Sequence, residues 1–212
     1  MLLHKSTFSH CPGDPPLTLP SAQPRKQLHT RAVTYRGYQR DDGLWDIEGH
    51  LLDTRTYESD ALEKGVLPPG TPVHDMSIRV TVDDKMVIQD IASSMSSVPF
   101  SECNSAQDPI RNLIGAKLGP GWRLALETKL GGIKGCTHMR ELLFNIATAA
   151  YQTVPVYLSQ VLGRSGQPIP AESKPPFHMG KCKSWDFNGG IVKRHYPQFV
   201  GWKKPPPIQS GD

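Results

Sequence analysis

Apolar residues recur at helical spacing through residues 131–158. Met139, Leu142, Leu143, Ile146, Ala147, Ala150 and Val154 fall at i, i+3, i+4 and i+7 on one face, which predicts a long core helix. Elsewhere the dominant period is two. Residues 32–40 and 44–55 are rich in β-formers and flank Asp42-Gly43, a two-residue hairpin signal, so they predict paired strands. Alternation places Trp45, Ile47 and Leu51 on one face of the second strand and Asp46, Glu48 and His50 on the other. Residues 71–84 alternate with Met76, Ile78, Val80 and Val82 inward, and His74 falls on that same face at the strand's mouth. Asp83-Asp84-Lys85 then turns the chain into a fourth strand over 86–95.

The weaker signals fill in around this frame. Residues 54–70 read as a loop with one helical turn. Asp108-Pro109 opens a short helix that ends at Gly115, and 122–130 reads as another short helix. Asn188-Gly189-Gly190 marks a small C-terminal hairpin within 181–197, after a Gly/Pro-rich connector over 163–176. The sum is an α+β fold: a curved antiparallel β-sheet of four to six strands packed on one long central helix. Residues 29–202 form a single domain in this reading, and the Pro-rich ends, 1–28 and 203–212, are expected to be disordered.

Composition narrows the class of function. The 212 residues carry 24 basic and 20 acidic side chains without long runs, which does not match the concentrated basic face that nucleic acid requires. No apolar stretch reaches membrane-spanning length and the first residues lack a signal-peptide core, so a cytoplasmic location with no membrane partner is expected. Cys11, Cys103, Cys136 and Cys182 include no C-x-x-C pair and read as free thiols. His4, His10 and Cys11 read as part of a polar tail.

Candidate chemistry concentrates where the long helix begins. Gly131, Gly132 and Gly135 lead into Cys136, Thr137 and His138. Glycines there let backbone N–H groups converge, and the unpaired donors of a first helical turn favour an anion. The same field lowers a thiol pKa and keeps an imidazole neutral, which readies both Cys136 and His138. His138 lies at the edge of the apolar face, where it can meet His74 across the seam between helix and sheet. Asp46, Glu48 and His50 could serve acid/base or metal chemistry, or form a solvated strand face.

Three blocks carry a family resemblance: R-A-V-T-Y-R-G-Y-Q-R-D-D-G-L-W-D-I-E-G-H-L-L-D-T-R from Arg31, P-V-H-D-M-S-I-R-V-T-V-D from Pro72, and G-G-I-K-G-C-T-H-M-R-E-L-L from Gly131. Together they resemble DUF2889, a family of bacterial proteins named for its unknown function, over roughly residues 29–157. A looser echo lies at Lys181-Cys182 and His195-Tyr196-Pro197. Met139 stands where the family usually shows Leu, a swap that conserves volume. The resemblance highlights His50, Asp53, Arg55, His74, Cys136, His138 and Cys182 and implies no role for them.

The function expected from these residues is acid/base chemistry, lyase- or decarboxylase-like, on a hydrophobic or aromatic, anionic small molecule. His74 and His138 form the acid/base pair, with Asp53 or Glu48 as orienting carboxylate and Tyr57 as hydrogen-bond donor. Arg55, Gly132, Gly135, Cys136 and Thr137 form the anion clamp. No cofactor motif is present, and homo-oligomerisation is left open. A non-catalytic binding module is the alternative. A metal held by His74, His138 and Cys136 or Cys182 is a variant that C-x-H spacing within one turn disfavours.

Overall fold

The computed structural model describes residues 19–161, 174–176 and 178–203, which fall into two compact units divided after Val161. The expectations for residues 1–18, including His4, His10 and Cys11, and for most of the connector and the C-terminal end, lie outside the described residues. Residues 19–28 are exposed and carry neither helix nor strand.

The first unit is built on an open antiparallel sheet. Its strands β1 (His29–Gln39), β2 (Trp45–Arg55), β5 (Pro72–Val82) and β6 (Ile88–Ser97) lie in that order. Between β2 and β5, a two-stranded ribbon of β3 (Ser59–Ala61) and β4 (Gly65–Leu67) replaces the expected loop with a helical turn; Gly65, at φ 67°, supplies its tight reversal. Trp45, Ile47, Leu51, Met76, Ile78, Val80 and Val82 are all buried on one face, as the alternation requires.

Helix α1 (Trp122–Leu130) and helix α2 (Thr137–Gln160) complete this unit. Met139, Leu142, Leu143, Ile146, Ala150 and Val154 of α2 are buried in the same core as the sheet residues. Gly37 on β1 is what allows the helix so close: a Cβ there would overlap the side chain of Thr153. The Tyr35 hydroxyl donates to the Leu142 carbonyl at 3.2 Å, and the Trp122 indole N–H donates to the Leu143 carbonyl at 2.9 Å, so sheet and α1 both grip the second turn of α2. Residues 98–115 form two 3-10 turns, Ser101–Ala106 and Asp108–Leu113, in place of one short helix.

The second unit corrects the expected hairpin. Helix α3 (Gly190–His195) follows a 3-10 turn at Lys183–Trp185 and precedes another at Pro197–Phe199. The Asn188-Gly189-Gly190 run starts a helix because the Asp186 side chain accepts from the Asn188 N–H at 2.9 Å and its carbonyl accepts from Gly189 at 2.8 Å. Val192, Tyr196 and Phe199 then fall at helical spacing, with Val192 and Phe199 buried beside Met179.

Candidate functional site

The site begins with strand register. The β1–β2 loop has three residues, Asp41 to Gly43, closed by the Arg40 N–H on the Leu44 carbonyl at 2.9 Å, with Gly43 at φ 84°. A two-residue Asp42-Gly43 turn would have set Asp53 opposite Ala32. The observed loop sets it opposite Arg31. Asp53 also faces His74 on β5, just before the register shifts between Asp53 and Thr54. Arg31, Asp53 and His74 therefore form one row across three strands, on the core face. The first turn of α2 adds His138, whose ring centroid lies 4.0 Å from that of His74.

Asp53 is the hub. It is only 3% exposed, and its carboxylate receives Arg31 Nε at 2.9 Å and Arg31 Nη2 at 2.8 Å in a bidentate pair. His29 Nε2 and His74 Nδ1 each lie 3.0 Å from it. Burial alone would push the carboxyl pKa up and is the largest single influence. The Arg31 hydrogen bonds and charge, with His29 and His74, outweigh it and hold Asp53 at about 2. Arg31 also reaches Glu141 of α2 through Nη1 at 3.0 Å, which ties helix to sheet beside the cluster.

The imidazoles respond to the same surroundings. Burial lowers the His74 pKa and the facing His138 lowers it further, against the pull of Asp53. Neutral imidazole is therefore favoured in His74 near pH 7. Cys136 Sγ lies 3.8 Å from His138 Nδ1. Burial raises its pKa, but the His138 side chain and the N–H groups of Met139 and His138 together bring the thiol below its ordinary value.

Of the residues anticipated from the sequence, Asp53, His74 and His138 meet, each offering a ligand atom within 4.8 Å of the others, and Cys136 stands beside His138. Gly132, at φ 59°, and Thr137 are exposed at the helix entrance, and Gly135 packs on Leu130. Tyr57 is exposed beyond the end of β2, and Arg55 lines a separate cavity of about 140 Å³ with Asp60, Lys64 and Phe100. Asp46, Glu48 and His50 occupy the opposite sheet face, where Glu48 and His50 line one cavity and Asp46 is not among its lining residues. Asp46 accepts from Thr81 at 2.6 Å, His50 pairs with Asp75 at 2.8 Å, and the cavity, of about 470 Å³, is also lined by Arg36 and Arg79. Arg31, His29 and Glu141 are the residues that sequence reasoning missed. Cross-strand counting from the correct three-residue loop would have found Arg31.

A second groove borders the cluster. It holds about 360 Å³ between Arg123, Leu126 and Glu127 of α1 and Arg140, Glu141, Phe144 and Asn145 of α2. Glu141 is shared with Arg31.

Residues 29–152, more than half of the chain, match a family described as a protein of unknown function (DUF2889). The chain belongs to the DUF2889 family. The matched span of this DUF2889 protein contains Arg31, Asp53, His74, Cys136 and His138, and excludes Cys182 and the second unit. No curated protein and no solved structure matches the chain. Among the described residues, no helix is long and apolar enough to cross a membrane.

Proposed function

We propose that this DUF2889 protein is a small-molecule enzyme that works by proton transfer at the Asp53–His74–His138 cluster, in a lyase- or decarboxylase-like reaction on an aromatic or otherwise hydrophobic anion. The observation that carries the reading is the contact of two imidazoles, 4.0 Å between centroids, one of them held at Nδ1 by a buried carboxylate. Two imidazolium charges at that separation repel each other, so the arrangement disfavours charging both rings together. One ring is then free to accept a proton from substrate while the other can return one, and Asp53 sets the tautomer of His74.

The preference for an anion has two supports. No acidic residue occupies the first turn of α2, so no carboxylate there offsets the positive end of its dipole. The neighbouring groove is lined by Leu126 and Phe144 with Arg123, Arg140, Glu127 and Glu141. Glu127 pairs with Arg140 at 3.6 Å and Glu141 with Arg31, which leaves Arg123 as the cation to meet the carboxylate of a flat apolar body. Arg123 already stacks 4.6 Å over the Phe144 ring.

The test is a panel of substituted benzoates and cinnamates, assayed for binding and for release of carbon dioxide. Turnover that disappears in His74→Ala and His138→Ala, with the far-ultraviolet spectrum retained, is the expected result. Binding without turnover across the panel, unchanged by both substitutions, would instead point to a non-catalytic binding module.

A further inference from the structure

The geometry points to a divalent first-row transition-metal site in which Asp53, His74 and His138 supply the protein ligands. The inference rests on the reading of this cluster as the proton-transfer centre and names the group that performs the transfer, a metal-bound water.

Distances carry the argument. Ligands bonded at about 2.1 Å and set at right angles around one ion lie about 3.0 Å apart. His74 Nδ1 and Asp53 Oδ2 are 3.0 Å apart. A ring nitrogen of His138 comes from the facing strand-helix seam to complete a set whose members all fall within 4.8 Å. Two imidazoles and one carboxylate on one side of an ion leave positions open opposite them, and that donor set suits iron, cobalt, nickel or zinc rather than calcium or magnesium.

Asp53 can accept an ion without losing its other partners. A carboxylate has about four acceptor positions. Here they are taken by His29, by two nitrogens of Arg31, and by His74. Of these donors, neutral His74 can change role in place: moving its proton from Nδ1 to Nε2 turns the nitrogen facing Asp53 from donor to ligand. The bond to His74 is then replaced by two metal bonds, while Arg31 and His29 continue to orient the carboxylate from outside, as the outer partners of metal ligands do. Cys136 beside His138 Nδ1 and Glu141 on Arg31 place further negative or polarisable groups around the added charge.

In the loaded protein the open positions admit water, whose pKa on a zinc ion falls to about 7. Ionised to hydroxide, with its own proton passing to solvent, that water would accept the substrate proton and return to water, while His74 and His138 serve as ligands in place of the acid/base pair.

The full chain, freed of metal by chelation, would be titrated with Zn2+ by calorimetry and with Co2+ by visible absorption. One ion per chain is expected. Asp53→Asn, His74→Ala and His138→Ala should each weaken binding by at least about 10-fold. His50→Ala, on the opposite sheet face beside Asp75, should leave it unchanged. In the unsubstituted protein, Zn2+ should displace the imidazole resonances of His74 and His138 and spare those of His50, a readout that needs no variant to fold. Absence of stoichiometric binding, or binding that survives His74→Ala and His138→Ala, overturns the metal site. Turnover by the metal-free protein that is abolished by those two substitutions also overturns it, and leaves the imidazoles themselves as the acid/base pair.

Discussion

Asp53→Asn is the most informative single change, because one substitution probes both fold and site. The folded carboxyl titrates at about 2 against 3.8 for a free one. The native state therefore favours the charged form by roughly 2 kcal/mol at pH 7. The sign follows from the direction: a depressed carboxyl pKa contributes its full stability above pH 3.8 and loses it as pH falls through the folded value. By linkage, about 1 kcal/mol of this contribution remains at pH 3 and almost none at pH 2. Asparagine removes the contribution and presents an amide N–H2 to Arg31, a penalty that the guanidinium, charged throughout this range, keeps constant with pH. His29 and His74 gain charge beside position 53 as pH falls, so the comparison is made in the His29→Ala, His74→Ala background, where the stability gap caused by Asp53→Asn should narrow by up to about 1 kcal/mol from pH 7 to pH 3. Urea denaturation in the presence of chelator measures it. A gap that stays constant from pH 7 to pH 3 would refute the account of Asp53 as a buried carboxylate held ionised by Arg31.

Other consequences are open to direct measurement. The His74 imidazole should titrate below 6.5 by NMR, and its midpoint should rise in His138→Ala, because burial and the facing ring lower it together; an unchanged midpoint would mean that the facing ring exerts no charge effect. Cys136 should react with iodoacetamide at a pH below that of an ordinary thiol, and His138→Ala should shift the rate profile upward, which peptide mapping by mass spectrometry can follow. Gly37→Ala should destabilise the fold by about 1–3 kcal/mol through overlap with Thr153, with partial recovery when Thr153→Ala is added. Trp122→Phe should cost about 1–3 kcal/mol in thermal or urea unfolding, since it leaves the buried Leu143 carbonyl without its indole donor.

Periodicity alone determined the long helix, the four principal strands and the inward faces that pack together, because burial of an apolar stripe leaves its mark directly in the order of residues. It also placed His74 on the core face and His138 at the edge of the helix seam. The C-terminal unit was less legible: a local side-chain bond from Asp186 turns the Asn-Gly-Gly run into a helix start, and turn-forming residues serve a hairpin or a helix cap equally well. The centre of the site was not written in any one stretch. Asp53 meets Arg31 because the hairpin loop holds three residues where a two-residue turn would fit the same letters, and a register change of one residue would bring Ala32 there instead. The meeting of His74 with His138 depends on how far α2 settles onto the sheet, which the absence of a side chain at Gly37 permits. The chain order thus carried the faces, while the tertiary structure decided the neighbours, since proton transfer and metal binding depend on separations of a few ångströms that only packed elements can set.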